Sequence, residues 1–274
     1  MLIKKQEVTA LSDDIRKAID GKEVDFRDNR EGLWSILKND ISTLVRINNE
    51  QRNTAQRDRD LLADYLADIS HQLKTPLTSM LIMVDLLENA PADKQEEFIA
   101  NIKISLTRME WLVATLLKMA RLDSGAVEFS MAEISAGDLL KKAKQPLEVL
   151  LDVKNQTVEL ANDTALFCDR RWTAEALTNL LKNASEYSPM DSKITVNSGI
   201  NPIYRWISVT DCGKGISKQK YPDLFKRFEY SQSENGYGIG LPLALSIVRG
   251  QNGDIEIDGG GKETGATFTI KFFK

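Results

Sequence analysis

The chain has 274 residues, 42% hydrophobic and 28% charged, enough to bury a core in one or two domains of roughly 150 residues each. Its 36 basic and 40 acidic residues give a formal charge of −4, which argues against nucleic-acid binding as its main business, since phosphate contacts call for a basic excess. Cys168 and Cys212 cannot make a disulfide framework and fit a reducing compartment. The longest apolar run, Met80 to Val84, falls far short of the roughly 18–20 residues a membrane span needs, and Met1 to Lys5 turn polar too soon for a signal peptide. The single histidine, His71, excludes metal sites built from several histidines.

Leu11, Ile15 and Ile19 stand four apart and predict a short amphipathic helix ending at Gly21, with a second break at Gly32. A second helical pattern starts near Leu33 and continues past residue 60. With Ile41 at heptad position a, the a/d series runs Ile41, Leu44, Asn48, Gln51, Ala55, Asp58, Leu62, Tyr65, Ile69. Its polar middle fits either a solvated helix or a signalling helix that shifts between packings.

From Leu62 the stripe strengthens through Leu66, Ile69, Leu73, Leu77, Met80, Val84 and Leu87, which predicts a long amphipathic helix. Ala90-Pro91-Ala92-Asp93 breaks it, with Asp93 able to cap a new helix. The next stripe is Phe98, Ile102, Leu106, Met109, Val113, Leu116 and Ala120, stopping at Asp123-Ser124-Gly125. Two long helices joined by a short turn form an antiparallel hairpin. Two helices alone bury their apolar faces poorly, so a homodimeric four-helix bundle is expected.

After Gly125 short strands and helices intermingle. Strands are expected at 157–160, 194–198, 205–210, 254–257 and 267–272, and helices at 136–151, 172–187 and 242–251, which implies a sheet with helices packed on it. The fold class is therefore α+β with two domains.

His71 lies two residues from both Ile69 and Leu73, about 200° around the helix from each, so its phase points it to water. Thr75 and Thr78 share its face, and an idle surface histidine is the plain alternative. Pro76 removes a backbone donor just after it and predicts a kink. Further on, Glu175, Asn179, Asn183 and Glu186 fall opposite the stripe of Ala176, Leu177, Leu180, Leu181 and Ala184. Such oxygens suit a hard cation like Mg²⁺, although for this stripe alone a solvated face is simpler. Asp211-Cys212-Gly213-Lys214-Gly215-Ile216 follows a strand. Its glycines permit close backbone approach, and its acid can accept a hydrogen bond from an amino group such as that of adenine. Gly236-Tyr237-Gly238-Ile239-Gly240-Leu241 precedes Pro242 and a helix, presenting N–H groups and a helix N-terminus to a phosphate chain.

The order His-x-x-x-Thr-Pro, Asn-x-x-x-Asn, Asp-x-Gly-x-Gly-Ile, Phe-x-x-Phe and Gly-x-Gly-x-Gly-Leu resembles the sensor histidine kinases of two-component systems. Phe225-Lys226-Arg227-Phe228 is similar to that family's phenylalanine box and Gly265-Ala266-Thr267-Phe268 to its last glycine box. The resemblance covers about residues 61–274. It implies a signalling or HAMP-like segment over 1–60, a dimerisation and phosphotransfer hairpin over 61–125, and an α/β sandwich ATP-binding domain over 126–274. It also implies that His71 takes a phosphoryl group from Mg·ATP and passes it to an aspartate in the receiver domain of a response regulator. Any membrane attachment would come through a segment outside this chain, whose own residues would be cytoplasmic.

By the same resemblance Asn183 would hold Mg²⁺ and Asn179 support it. Asp211 would read adenine and Tyr187 would stack near the base. Gly213, Gly215, Ile216, Gly236, Gly238, Gly240 and Leu241 would shape the phosphate loops, with Thr267 nearby and residues 229–235 as a lid. Glu186 stands where the family often has a base, which leaves Lys182, Lys226 and Arg227 as candidates for that phosphate contact. Gln72 stands where the family has an acid after the histidine. Glutamine cannot take a proton at neutral pH, so slow autophosphorylation is expected. Thr75 falls where the family places a water for dephosphorylating the partner. The alternatives are a related ATPase, which would need a glutamate where Asn179 stands, or a dimeric adaptor that only binds ATP.

Overall fold

The computed structural model describes residues 5–19, 24, 26, 33–87, 91–228, 238–260 and 265–274. By contacts the chain divides into two compact units, Met1–His71 and Gln72–Lys274.

In the first unit, helix α1 (Lys5–Ile19) is followed by α2 (Leu33–Leu87), which continues into the second. Leu11, Ala18 and Phe26 are buried, and Ile15, Val24, Trp34, Ile41 and Val45 pack against them. Arg52 Nη1 donates to the Ile19 carbonyl at 3.1 Å, capping the exposed end of α1. With Leu11 in one cluster with Ile41 and Val45, and Ile19 beside Arg52, the two helices run in the same direction. On the heptad seam Ile41 meets α1, but Leu44, the next seam position, is 65% exposed, so the contact with α1 does not follow the seam. Gly21 and Gly32 lie outside the described residues.

Helix α2 passes unbroken through Pro76. The missing N–H of Pro76 leaves the Gln72 carbonyl without its partner four residues on. Helix α3 (Ala92–Asp123) begins after Pro91, whose side chain makes no cap; Asp93 lies inside the helix, not at its cap. A proline before the first turn starts a helix without side-chain capping, because its fixed φ already suits the entry. Over the last turns of α3 the buried residues are Leu112, Thr115 and Met119, one position off the predicted stripe of Val113, Leu116 and Ala120. Leu112 and Met119 join the core of the α/β region, with Leu73, Leu116 and Leu122 packed against it. The change of texture near residue 125 is thus crossed by a shared core.

The α/β region consists of β1 (Met131–Ser135), α4 (Ala136–Lys144), a 3₁₀ turn at Gln145–Leu147, α5 (Glu148–Val153), β2 (Thr157–Leu160), β3 (Ala165–Asp169), α6 (Arg170–Tyr187), β4 (Lys193–Ile200), β5 (Tyr204–Thr210), a second 3₁₀ turn, α7 (Tyr221–Leu224), α8 (Gly240–Arg249), β6 (Gly253–Asp258) and β7 (Thr267–Phe273). The single helix expected over 136–151 is broken at Pro146, which supplies no N–H. β1 and β3, which the sequence reading did not anticipate, form an antiparallel pair, while the main sheet runs β2-β4-β5-β7-β6 with only β2 and β4 parallel. Val196, Val209, Phe268 and Ile257 line one row across this sheet, and Ser198, Ile207, Ile270 and Ile255 the next. These rows make the buried face, so the sheet is one-sided. Leu177, Leu180 and Leu181 of α6 and Leu243, Ala244 and Ile247 of α8 complete the core. Asp169 starts α6, its Oδ1 accepting from the N–H groups of Arg171 (2.8 Å) and Trp172 (2.9 Å).

Candidate functional site

In the first unit His71 is exposed on α2, in agreement with its helical phase. Lys74, Thr75 and Thr78 are exposed further along the same helix, and Gln72 is half-buried.

In the second unit the site grows from the end of β5. Asp211 comes two residues after Val209 and therefore faces the helical side of the sheet. It is 5% exposed. Its Oδ1 accepts from the N–H groups of Gly213 (2.7 Å) and Ala266 (3.0 Å), and its own N–H donates to the Ala266 carbonyl at 2.9 Å. Oδ2 has no hydrogen-bond partner among the described residues. Burial holds this carboxyl above the ordinary aspartate range, and the N–H groups of Ala266 and Gly213 offset part of that.

Backbone closes tightly around this carboxyl. A Cβ added to Gly265, whose φ is +67°, would lie 1.9 Å from the Asp211 carbonyl oxygen. One at Gly213 would stand 2.9 Å from the Tyr187 carbonyl oxygen, so only glycine lets this loop lie against the end of α6. Gly259 did not figure in the sequence reading. Its carbonyl accepts from Ile216 N–H at 2.9 Å, and its N–H donates to the Tyr221 hydroxyl at 2.5 Å. Only the fold brings residues 216 and 259 together. Gly215 takes a φ of +72° within the same loop.

The α6 face is half-buried at Glu175, Asn179, Lys182, Asn183 and Glu186, which overturns the simpler picture of a fully solvated face. Lys118 of α3 binds Glu175 at 2.7 Å, and Lys182 Nζ lies 5.2 Å from the ring centroid of Trp111. Moving seven residues back along α3 matches moving seven forward along α6, so the two helices lie antiparallel. Asn179 Nδ2 donates to the Glu175 carbonyl at 2.9 Å, while a Cβ at Gly240 would meet Asn179 Oδ1 at 2.9 Å. The glycine at the start of α8 thus lies directly against the asparagine face. The Asn183 side chain has no hydrogen-bond partner among the described residues.

Gly238 has a φ of +65°, and its carbonyl accepts from Phe228 N–H at 3.2 Å. Leu241 is half-buried in the first turn of α8, and Tyr187 is 39% exposed at the end of α6. Thr267 shares a 2.9 Å hydroxyl contact with Thr210 across the sheet. Gly236 and the lid at 229–235 lie outside the described residues. The three cations considered for phosphate are engaged: Lys182 with Trp111 and, at 3.8 Å, with Glu186; Lys226 with Asp223 at 2.9 Å; Arg227 with Asp123 at 2.7 Å. Cys212 is exposed, and its Sγ donates to the Lys193 carbonyl at 3.1 Å. Burial pushes the Cys168 thiol up to about 11, so it stays protonated as core filler. Among the described residues no group of three or more His, Cys, Asp or Glu side chains could hold a metal. No described helix is long and apolar enough to cross a membrane.

Two family models match the chain. Residues 61–125 match the His Kinase A (phospho-acceptor) domain, and residues 168–274 the histidine kinase-, DNA gyrase B- and HSP90-like ATPase domain. A helical phosphoacceptor region followed by an ATPase-type α/β sandwich therefore defines the class. The chain belongs to the two-component sensor histidine kinases. It is 29% identical over 247 residues to the heme sensor protein HssS of Staphylococcus saprophyticus, covering 89% of this chain and 54% of that protein. Histidine kinase AdeS of Acinetobacter baumannii superposes with a TM-score of 0.63 at 24% identity over 74% of this chain and 97% of its own. Histidine kinase ThkA, solved in complex with response regulator protein TrrA, gives 0.65 at 20% identity over 83% of this chain and 66% of its own; both share the fold. The chain spans about half the length of the curated relatives it matches.

Proposed function

We propose that this chain is the kinase portion of a sensor, transferring the γ-phosphoryl group of ATP to His71 and then to an aspartate of a response regulator receiver domain. The observation that carries this reading is the buried Asp211 carboxylate, with Oδ1 fixed by two backbone donors and Oδ2 without a partner among the described residues, open to an adenine amino group.

The adenine end is formed by Asp211 with Tyr187 nearby, and Gly213, Gly215 and Ile216 form the loop beneath it. Toward the phosphates, the first turn of α8 offers the N–H groups of Gly240 and Leu241, whose positive dipole end favours an anion. Asn183, whose side chain has no partner among the described residues, would hold a magnesium ion that keeps most of its waters, with Asn179 in support. Mg²⁺, when bound, supplies charge neutralisation on the triphosphate. A neutral ring nitrogen of His71 attacks γ-phosphorus. The bond to the bridging oxygen breaks, ADP leaves with its electron pair, and the imidazole proton passes to water, since Gln72 cannot take it. Most of the acceleration in such transfers is positioning and charge stabilisation.

The working unit is a homodimer. Leu77, Leu81, Ile82 and Val84 on α2, and Leu106 and Leu117 on α3, are exposed in the single chain and need a partner surface. The parallel α1 and α2 suit a relay segment over residues 1–60. Thr75, one turn after His71, is placed to hold a water that dephosphorylates the response regulator; in Thr75→Ala that phosphatase activity should fall while autophosphorylation persists.

Incubation with γ-labelled ATP and Mg²⁺ tests the main reading. Acid-labile, base-stable label on the protein supports phosphohistidine. Free phosphate without protein label would mark a hydrolase. Nucleotide binding with neither product would mark an adaptor.

A further inference from the structure

Below the adenine end lies a polar cluster that no part of the kinase reading has yet used. Gln156, at the entry to β2, is 6% exposed. Its Nε2 approaches the carbonyl oxygens of Ser185 (3.2 Å), Ser188 (3.2 Å) and Pro189 (2.9 Å), and its Oε1 accepts from the Ser185 hydroxyl at 2.6 Å. One amide, with two hydrogens to donate, thus bridges the last turn of α6 to the segment that follows it. Lys154, two residues earlier, adds its ammonium to the Ser185 carbonyl at 2.6 Å and the Glu186 carbonyl at 3.3 Å. A cation there opposes the negative end of the helix dipole.

The segment held in this way is the one that supports the base. It carries Tyr187. The Ser188 hydroxyl, next in the chain, accepts from Cys212 N–H at 3.0 Å, between Asp211 and Gly213. Gly213 itself packs against the Tyr187 carbonyl. A continuous path therefore runs from the Gln156 amide through the Ser188 backbone and hydroxyl to the loop of Asp211. The Ser185 carbonyl also accepts from Lys154, and the Pro189 carbonyl from the Ser192 hydroxyl. The Ser188 carbonyl therefore depends most on Gln156, and with Ser188 only 4% exposed it has little water to turn to.

Resting on the reading of Asp211 as the adenine acceptor, we propose that Gln156, with Lys154, is a positioning residue for nucleobase recognition, fixing Tyr187 and Ser188 so that Asp211 meets the 6-amino group. Its chemistry suits this task. Glutamine brings two donor hydrogens and an acceptor on one rigid plane, which neither a hydrocarbon nor a carboxylate can do.

The experiment compares binding of ATP and inosine triphosphate, which has a 6-keto oxygen in place of the amino group, to the full chain, with thermal unfolding recorded for every variant. Wild type should favour ATP by about tenfold or more, as expected when a buried acceptor is left facing an oxygen. In Gln156→Met, assayed below its unfolding temperature, that preference should shrink severalfold, with KM for ATP raised and kcat held. Ser188→Ala should shift the ratio the same way, and the double variant should be no worse than the stronger single one. Should Gln156→Met not fold, Lys154→Met and Ser188→Ala carry the same comparison. A folded Gln156→Met with wild-type preference would overturn the proposal alone. Wild type with no preference for ATP would instead overturn the reading of Asp211 as well.

Discussion

In the α/β region Leu177, Leu180, Leu181, Ile194 and Ile270 are closed off from water, and the sheet rows meet the helices without a gap in the pattern. Along α2 and α3, by contrast, Leu81 is 58% and Leu117 60% exposed, although the helices are long and regular. One region has finished its burial within a single chain; the other has not. Helix α3 belongs to both. Leu112, Thr115 and Met119 turn one face into the shared core, while Leu106, Val113 and Leu117 leave another face open. That division fits a molecule in which the nucleotide site is a self-contained unit and the phosphoacceptor helices are completed by a second copy.

Catalysis at His71 gives the largest expected effect. Gln72→Glu restores a group able to accept the imidazole proton, and a positioned base is typically worth about 10²–10⁴-fold. The autophosphorylation rate under saturating ATP should rise within that range; an unchanged rate means that proton removal does not limit this enzyme.

Next comes the nucleotide site. Asp211→Asn keeps an oxygen for the Gly213 and Ala266 N–H groups but turns an amide N–H₂ toward the base. A lost hydrogen bond to a charged group costs about 1.5–3 kcal/mol, so ATP should bind roughly 10–150-fold more weakly by titration calorimetry. The pH dependence runs in two directions. Burial raises the Asp211 pKa in the folded chain, so this group favours folding at low pH and that contribution is lost as pH rises through the raised value. Adenine recognition needs the carboxylate, so ATP affinity should fall as pH drops through the same value, starting above the ordinary aspartate range. Asp211→Asn should therefore unfold no earlier than wild type at neutral pH and lose the acid limb of its binding profile.

The contrast between regions is tested by paired truncations. Leu177→Ala removes a fully buried side chain and should cost about 2–5 kcal/mol in chemical unfolding. Leu81→Ala should leave the unfolding of the α/β region almost unchanged and show its effect as a weaker dimer in sedimentation. Equal losses in the same unfolding transition would break the comparison.

Much of this was legible in the residues. Spacings of three and four marked α2 and α3, and the intermingling of short strand and helix patterns after Gly125 marked the five strands of the main sheet. The pair β1 and β3 escaped because Ala165-Leu166-Phe167-Cys168 is a short apolar run without a period, and β1 is defined by its partner. The docking face of α3 escaped because polar Thr115 sits at its centre, where it is only 3% exposed in the folded chain. At the site, the phase of His71 and the strand-end position of Asp211 could be read directly. The engagement of Lys182 by Trp111 and of Arg227 by Asp123 could not, since these partners arrive only in the folded chain, whereas Asp223, three residues before Lys226, was within reach of a spacing argument. Gln156 gave no motif either; its importance lies in Ser185, Ser188 and Pro189, which follow it by about thirty positions.

The central claim is that the exposed histidine of α2 receives the phosphoryl group. Peptide mapping by mass spectrometry after incubation with Mg·ATP, under conditions that preserve phosphohistidine, tests it directly. The account predicts phosphate on His71 and none in His71→Ala, because the chain has no second histidine. Phosphate on a serine, threonine or aspartate, or undiminished label in His71→Ala, would contradict it.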